Sequence, residues 1–182
     1  DFDFRGSDRQ IESARNLPLR ALLATVYTLA KNLLDPDVPA NAGYYRAIAV
    51  GSTPGTVVHA ASPAAIGARV FTSAIAGDVI GAALTQALPS KALAASGPHH
   101  LVLIAGTDPR SGKYFVNYET IAGGMGARAY CDGMDGVRVH ASGASNLPIE
   151  ALEHAFPLRV DRYALWEGSG GSGKYRGGMG VV

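Results

Sequence analysis

The stretch KYFVNYETIAGGMGARAYCDG, residues 113–133, runs from an apolar strand pattern into a segment that carries four glycines. Its first part, KYFVNYE, follows the apolar run LVLIAG at 101–106, and the turn-forming residues between the two runs predict a pair of neighbouring strands. Glu119 ends the second strand, just ahead of the glycines. Glycine permits conformations and close backbone approaches that other residues do not. The segment is therefore a phosphate cradle, a catalytic loop or a tight turn.

Helical periodicity is strongest over residues 13–34, where apolar side chains recur at helical spacing until a proline interrupts the pattern. A second helix of small apolar residues is predicted over 73–88, and a short third helix over 148–156. The remaining predictions are strands at 1–5, within 46–60 (two strands around a Pro-Gly turn) and at 158–167, with loops at 38–46 and 168–180. Because strands and helices alternate without a strict βαβ period, we expect an α+β (mixed α/β) fold. It should have mixed sheets, two main packed helices and glycine-rich loops.

Length and composition indicate a folded segment of domain size. Of the 182 residues, 47% are hydrophobic and 17% are charged, which is typical of a globular protein. A net charge of +1 gives no basic footprint for nucleic acid, and no apolar run is long enough to predict a membrane span. The single cysteine favours a reducing, cytoplasmic location. The chain starts without Met and stops where an apolar strand pattern begins, so we expect residues 1–182 to be a single segment of a longer polypeptide, cut at both ends.

The glycine-rich tail nearly matches the phosphate-binding P-loop. Gly168 and the pair Gly173-Lys174 have most of the required spacing. However, Tyr175 occupies the position of the hydroxyl residue that would bind Mg²⁺, and the following RGGMG cannot open the helix that would face the phosphates. The pattern therefore favours a glycine-rich turn.

Three other residues are candidates for chemistry. Glu119, at the end of a strand, could act as a general base or orient a substrate amide; alternatively it pairs with Arg128 or caps the loop. His140 lies in a polar stretch, where a hydrogen-bonded surface histidine is the competing interpretation. Arg69 precedes the second helix, and a buried arginine there would need a partner, which is as often architectural as functional. The five histidines form no local zinc motif, so no metal site is predicted within the chain.

A series of motifs, in order, gives the chain a family resemblance: DFDFRGSD, PANAGYYRAIAV, SPAAIGARVFTS, YETIAGGMGAR, DGMDGVRVH, NLPIEALEHAFPLRV and SGGSGKYRGGMG. Together they resemble the central to C-terminal part of the hydantoinase B/oxoprolinase family. The resemblance covers nearly the whole chain.

The resemblance implies a subunit or domain of an ATP-dependent hydrolase that opens cyclic amides such as hydantoins or 5-oxoproline. ATP would bind to a hydantoinase A-type partner, which activates the amide oxygen by phosphorylation, and this chain would complete hydrolysis. Any divalent metal would have its ligands outside the chain. Two alternatives stay open: a subunit of an acetone- or acetophenone-type carboxylase, and a non-catalytic scaffold that binds the ATPase partner.

The residue pattern, together with the resemblance, gives the predicted site. Glu119, His140 and Arg69 are the predicted catalytic residues. The predicted substrate contacts are Gly123, Gly124, Gly126 and Asn146. The family's threonine- and asparagine-rich stretch after His140 is replaced here by ASGAS, with Asn146 retained.

Overall fold

The computed structural model describes residues 1–97, 100–138, 142–143 and 145–182. Two compact units divide the chain, Asp1–Ala95 and Ser96–Val182. The described residues form helices and two small sheets, which confirms the predicted α+β fold class. That residues 1–182 are one segment of a longer polypeptide stays a prediction.

The first unit contains three helices and one small sheet. In chain order its elements are β1 (Phe2–Asp3), α1 (Leu19–Leu34), α2 (Ala42–Arg46), β2 (Val50–Gly51), α3 (Arg69–Ala87) and a 3₁₀ turn (Pro89–Lys91). Strand β1 pairs with β2 in parallel, with Phe2 opposite Val50. The two strands predicted within 46–60 therefore do not pair with each other, because β2 pairs with the start of the chain.

Helix α1 begins later than the sequence predicts, since the periodic pattern places its start at residue 13. It begins at Leu19, after Pro18, and ends at Leu34 as expected. The residue before Pro18 is held outside the helix, because the Leu17 N–H donates to the Val57 carbonyl and the Leu17 carbonyl accepts from the Ala60 N–H. A residue before proline also disfavours helical geometry.

The core of this unit lies between α1 and α3, as predicted for the two main helices. Leu22, Val26 and Leu29 of α1 are buried in one cluster with Ala76 and Ile80 of α3. The buried face of α3 is otherwise made of small residues, which lets the helices approach closely: Ala74, Gly77 and Gly81.

Helix α3 is long and apolar enough to cross a membrane, judged by length and composition alone. Core helices of soluble proteins meet the same criterion. Here Ala76 and Ile80 of α3 pack in the core, whereas Ile75 and Val79 are exposed.

The segment 38–46, predicted as a loop, contains α2 instead. The Asn41 side chain accepts hydrogen bonds from the N–H groups of Gly43 and Tyr44, which is a helix N-cap. The Tyr44 hydroxyl then donates to the Tyr27 carbonyl at 2.7 Å, attaching α2 to α1. Periodicity misses this helix because so short a segment cannot show it.

The second unit is built on a hairpin. Strand β3 (His100–Thr107) pairs antiparallel with β4 (Tyr114–Ile121), with Val102 opposite Glu119, which confirms the predicted pair of strands. Helix α4 (Ile149–Ala155) confirms the predicted short helix.

The strand predicted over 158–167 is wrong. Among the described residues of this segment, Leu165 forms an isolated bridge with Val181, and Ala164 exchanges two backbone hydrogen bonds with Val182. The segment therefore pairs with the glycine-rich tail over a few residues only, which is too short for a strand.

Candidate functional site

Glu119 lies near the end of β4, on the same face as Asn117, because side chains alternate along a strand. Asn117 is buried, and Glu119 is half-buried. In the described part of the chain, the Glu119 carboxylate forms no hydrogen bond or ion pair. Arg128, its alternative partner, contacts Met125 Sδ at 3.7 Å instead. The carboxylate is thus available for a ligand.

The glycine-rich segment after β4 packs against other backbone. Gly124 has a φ of +86°, and a Cβ atom on it would lie 2.3 Å from the Gly178 carbonyl oxygen. A Cβ on Gly133 would lie 2.0 Å from the Met125 carbonyl oxygen. Among the glycines whose contacts the structure describes, five have this kind of backbone contact, and we call them the glycine cluster: Gly97, Gly124, Gly133, Gly170 and Gly178. The cluster requires glycine because no room exists for a side chain.

Backbone hydrogen bonds join the segments of the glycine cluster. The Gly178 N–H donates to the Met125 carbonyl at 2.8 Å, and the Met125 N–H donates to the Met134 carbonyl at 3.0 Å. The Gly126 N–H donates to Ser96 Oγ at 3.1 Å. These donors are used within the protein, so the geometry favours tight backbone packing over a phosphate cradle. Substrate contacts at Gly123, Gly124 and Gly126 stay predictions.

Two aspartates attach the glycine-rich tail to the segment after β4. Asp135 Oδ1 accepts from the Met179 N–H at 2.7 Å and from Arg176 Nη1 at 3.1 Å. Asp132 Oδ1 accepts from the Arg176 N–H at 2.8 Å. The hydrogen bond from Met179, followed by that from Arg176, lowers the pKa of Asp135 below its ordinary value of 3.8. The residues that follow the near-match to a P-loop are therefore held in a structural contact.

This contact predicts a pH-dependent stability. Because the pKa of Asp135 is lower in the folded than in the unfolded state, its contribution is present above about pH 4 and is lost as the pH falls through the folded pKa. We expect Asp135→Asn to lower the unfolding temperature by a few degrees at pH 7, with the difference from wild type shrinking towards pH 3. Thermal unfolding followed by circular dichroism between pH 3 and 7 measures this. Asp161→Asn, at an aspartate whose side chain is 75% exposed, is the control. An equal difference at both ends of the range would contradict the prediction.

Arg138 is a residue of the site that the sequence analysis missed. Its Nη2 donates to the Thr120 carbonyl at the end of β4 and to Asn146 Oδ1 at 3.1 Å, and its Nη1 donates to the Ser145 carbonyl at 3.3 Å. The structure thus places the predicted substrate residue Asn146 beside the end of the strand that carries Glu119. A lone arginine in the motif DGMDGVRVH gives no sequence signal for this contact.

The other two predicted catalytic residues stay predictions. Arg69 begins α3 in the first unit, is exposed, and donates from Nη1 to the Ile66 carbonyl at 3.4 Å. His140 lies outside the described residues. In the described ranges, no group of three His, Cys, Asp or Glu side chains could hold a metal ion.

Comparison with known proteins gives the family. A model of hydantoinase B/oxoprolinase matches residues 1–182. A putative D-/L-hydantoinase subunit of Pseudomonas sp. is 33% identical over 187 residues, which cover 99% of this chain and 31% of that protein. 5-Oxoprolinase 1 of Arabidopsis thaliana is 31% identical over 182 residues (100% of this chain, 14% of that protein).

A third relative is the caprolactamase subunit beta of Pseudomonas jessenii, which is 32% identical over 150 residues (79% of this chain, 26% of that protein). The chain spans less than a third of the length of each of these three relatives. The match over residues 1–182 confirms the resemblance seen in the motifs. The chain belongs to the hydantoinase B/oxoprolinase family.

Proposed function

We propose that the chain is part of an ATP-dependent hydrolase that opens a cyclic amide. The observation that carries this proposal is the family match over residues 1–182, together with the names of the relatives: a hydantoinase, a 5-oxoprolinase and a caprolactamase. Hydantoin, 5-oxoproline and caprolactam are all cyclic amides. The proposed substrate class is therefore a small ring that contains an amide bond.

The proposed reaction is divided between two subunits. An amide carbonyl is a poor electrophile, and phosphorylation of its oxygen by ATP would make it reactive to water. We assign ATP binding and this activation to a hydantoinase A-type partner. The hydantoinase and caprolactamase relatives are each named as one subunit of an enzyme, which implies a partner subunit in those proteins. The proposal includes a cytoplasmic location and divalent metal ligands, if any, outside this chain.

Glu119 is the proposed general base. A base must have a free lone pair near the attacking water, and the half-buried Glu119 carboxylate forms no hydrogen bond or ion pair with any residue that the structure describes. Asn146, held beside the end of β4, is the proposed substrate contact. Arg69 and His140 stay proposed catalytic residues, and the backbone at Gly123, Gly124 and Gly126 a proposed substrate contact, on the family resemblance.

Glu119→Gln tests the proposed function in the full-length protein with its partner, ATP and a panel of cyclic amides. Glutamine keeps the size of the side chain but cannot accept the proton from water. We expect ring opening, measured by product analysis, to fall about 100-fold, with an unchanged circular dichroism spectrum. Glu167→Gln, at an exposed glutamate of the same unit, is the control.

Two results would contradict this proposal. Full ring opening by a folded Glu119→Gln variant would remove Glu119 from the catalytic role. ATP-dependent incorporation of bicarbonate, in place of ring opening, would assign the protein to the carboxylases.

A further inference from the structure

We propose that Arg138 fixes the Asn146 side chain as a hydrogen-bond donor to the carbonyl oxygen of the substrate amide. This inference rests on the proposed function, because it takes a cyclic amide as the ligand. Arg138 acts as a positioning residue, and Asn146 determines which atom of the ring is recognised.

Asn146 is one of three hydrogen-bond acceptors that bind the guanidinium group of Arg138, and this shared contact sets its position. Arg138 reaches the Thr120 carbonyl, the Ser145 carbonyl and Asn146 Oδ1. Thr120 directly follows Glu119 on β4, and its carbonyl belongs to that strand. Arg138 therefore couples the segment 145–146 to the strand that carries the proposed base.

The contact with Arg138 also determines the orientation of the Asn146 side-chain amide, that is, which of its ends faces the guanidinium group. A guanidinium group has five N–H donors and no acceptor, so it can hydrogen-bond only to the oxygen of an asparagine amide. The Asn146 atom 3.1 Å from Arg138 Nη2 is accordingly Oδ1. Nδ2 and its two N–H groups then point away from the guanidinium. Asn146 is exposed, and no described residue accepts a hydrogen bond from Nδ2.

A fixed donor at this position complements one part of a cyclic amide. The carbonyl oxygen of the ring is an acceptor, and it can accept a hydrogen bond while the amide binds, before the partner phosphorylates it. A preorganised N–H donor binds this oxygen without a further ordering cost, so it selects a ring that presents a carbonyl oxygen. Glu119 has the opposite character, because a carboxylate can only accept. The site thus offers a donor for the oxygen and an acceptor for the proton of the attacking water.

Asn146→Asp tests the donor directly. Aspartate keeps the oxygen that Arg138 binds and replaces both N–H donors by a second acceptor, so the variant should fold as wild type does. The probes are 2-pyrrolidone and its thione analogue, which have nearly the same shape but present oxygen and sulfur, sulfur being a weak acceptor. The experiment measures turnover of both probes by the full-length protein with its partner and ATP, and binding of both by ligand-observed NMR.

We expect wild type to bind the lactam at least about 10-fold more tightly than the thiolactam, and Asn146→Asp to lose this preference in binding. In Arg138→Lys the single ammonium group cannot hold all three acceptors in place. Its preference for the lactam should therefore lie between those of wild type and Asn146→Asp. Ser145→Ala is the matched control, because Arg138 binds the carbonyl and not the hydroxyl of Ser145. A merely structural role for Asn146 would change stability without changing the ratio between the two probes.

Each outcome decides a different question. A folded Asn146→Asp variant with the wild-type ratio overturns the inference, while turnover of the lactam by wild type leaves the proposed function in place. Binding of both probes without turnover contradicts the proposed function, and the binding ratio of the variant then decides the inference. If wild type binds neither probe, the inference is overturned as well.

Discussion

Gly178→Ala is expected to lower the free energy of unfolding of the Ser96–Val182 unit by about 4 kcal/mol, enough to unfold a marginal domain. A Cβ atom at this position would lie 2.0 Å from the carbonyl oxygen and 2.5 Å from the carbonyl carbon of Met134. Both are backbone atoms, and Gly178 is buried, so no side chain can move aside to make room. The shift of backbone would also break the 2.8 Å hydrogen bond from Gly178 to Met125.

Urea unfolding followed by tryptophan fluorescence measures this loss, since the only tryptophan, Trp166, lies in the same unit and donates its backbone N–H to the Gly180 carbonyl. Gly171→Ala is the matched control in the same tail. A Cβ on Gly171 meets nothing within 4 Å, so its free energy of unfolding should change by less than about 1 kcal/mol. Equal stability of the two variants would show that the glycine cluster is not close-packed.

Asn16→Ala should lower the free energy of unfolding of the Asp1–Ala95 unit by about 3 kcal/mol. Asn16 has no exposed surface. Its Oδ1 accepts from the Ile11 N–H at 2.9 Å, and its Nδ2 is within hydrogen-bond distance of the carbonyls of Ile11, Ser13 and Ala65, at 2.8 to 3.0 Å. Alanine would remove all of these contacts and leave a cavity beside Leu17.

Hydrogen exchange of the α1 amides, combined with urea unfolding, measures the effect of Asn16→Ala. The control is Asn41→Ala, which removes the exposed N-cap of α2 and should cost about 1 kcal/mol. If Asn16→Ala were no more damaging than Asn41→Ala, the buried amide would not hold the chain before α1 in place.

Local patterns predicted the elements that carry their own periodicity or turn signal and missed those that depend on a single cap or a distant pairing partner. The hairpin of β3 and β4 and the helices α1, α3 and α4 each carry their own signal in apolar periodicity or turn residues. Helix α2 depends on the cap from Asn41, and the segment 158–167 has a strand-like alternation without a long strand to pair with. Pairing partners distant in sequence leave no mark on a local pattern.

The candidate site likewise contains residues that local patterns predicted and one that they missed. The carboxylate of Glu119 at a strand end was predicted from its place before the glycines, and the family from the ordered motifs. Arg138 was missed, because nothing near it in sequence indicates that it binds Thr120 and Asn146, residues 18 and 8 positions away.

The segment YETIAGGMGARAYCDG shows what the sequence determines and what the tertiary structure determines. The sequence by itself determined the family, the strand that ends near Glu119 and the need for glycine after it. Only the tertiary structure decided why glycine is needed. Carbonyl groups of residues 125, 134 and 178 occupy the space beside Gly133, Gly178 and Gly124, respectively, and they come from segments up to about fifty residues apart. A steric requirement set by distant backbone cannot be read from a local pattern, because glycine in a free loop and glycine in a close contact look the same in sequence.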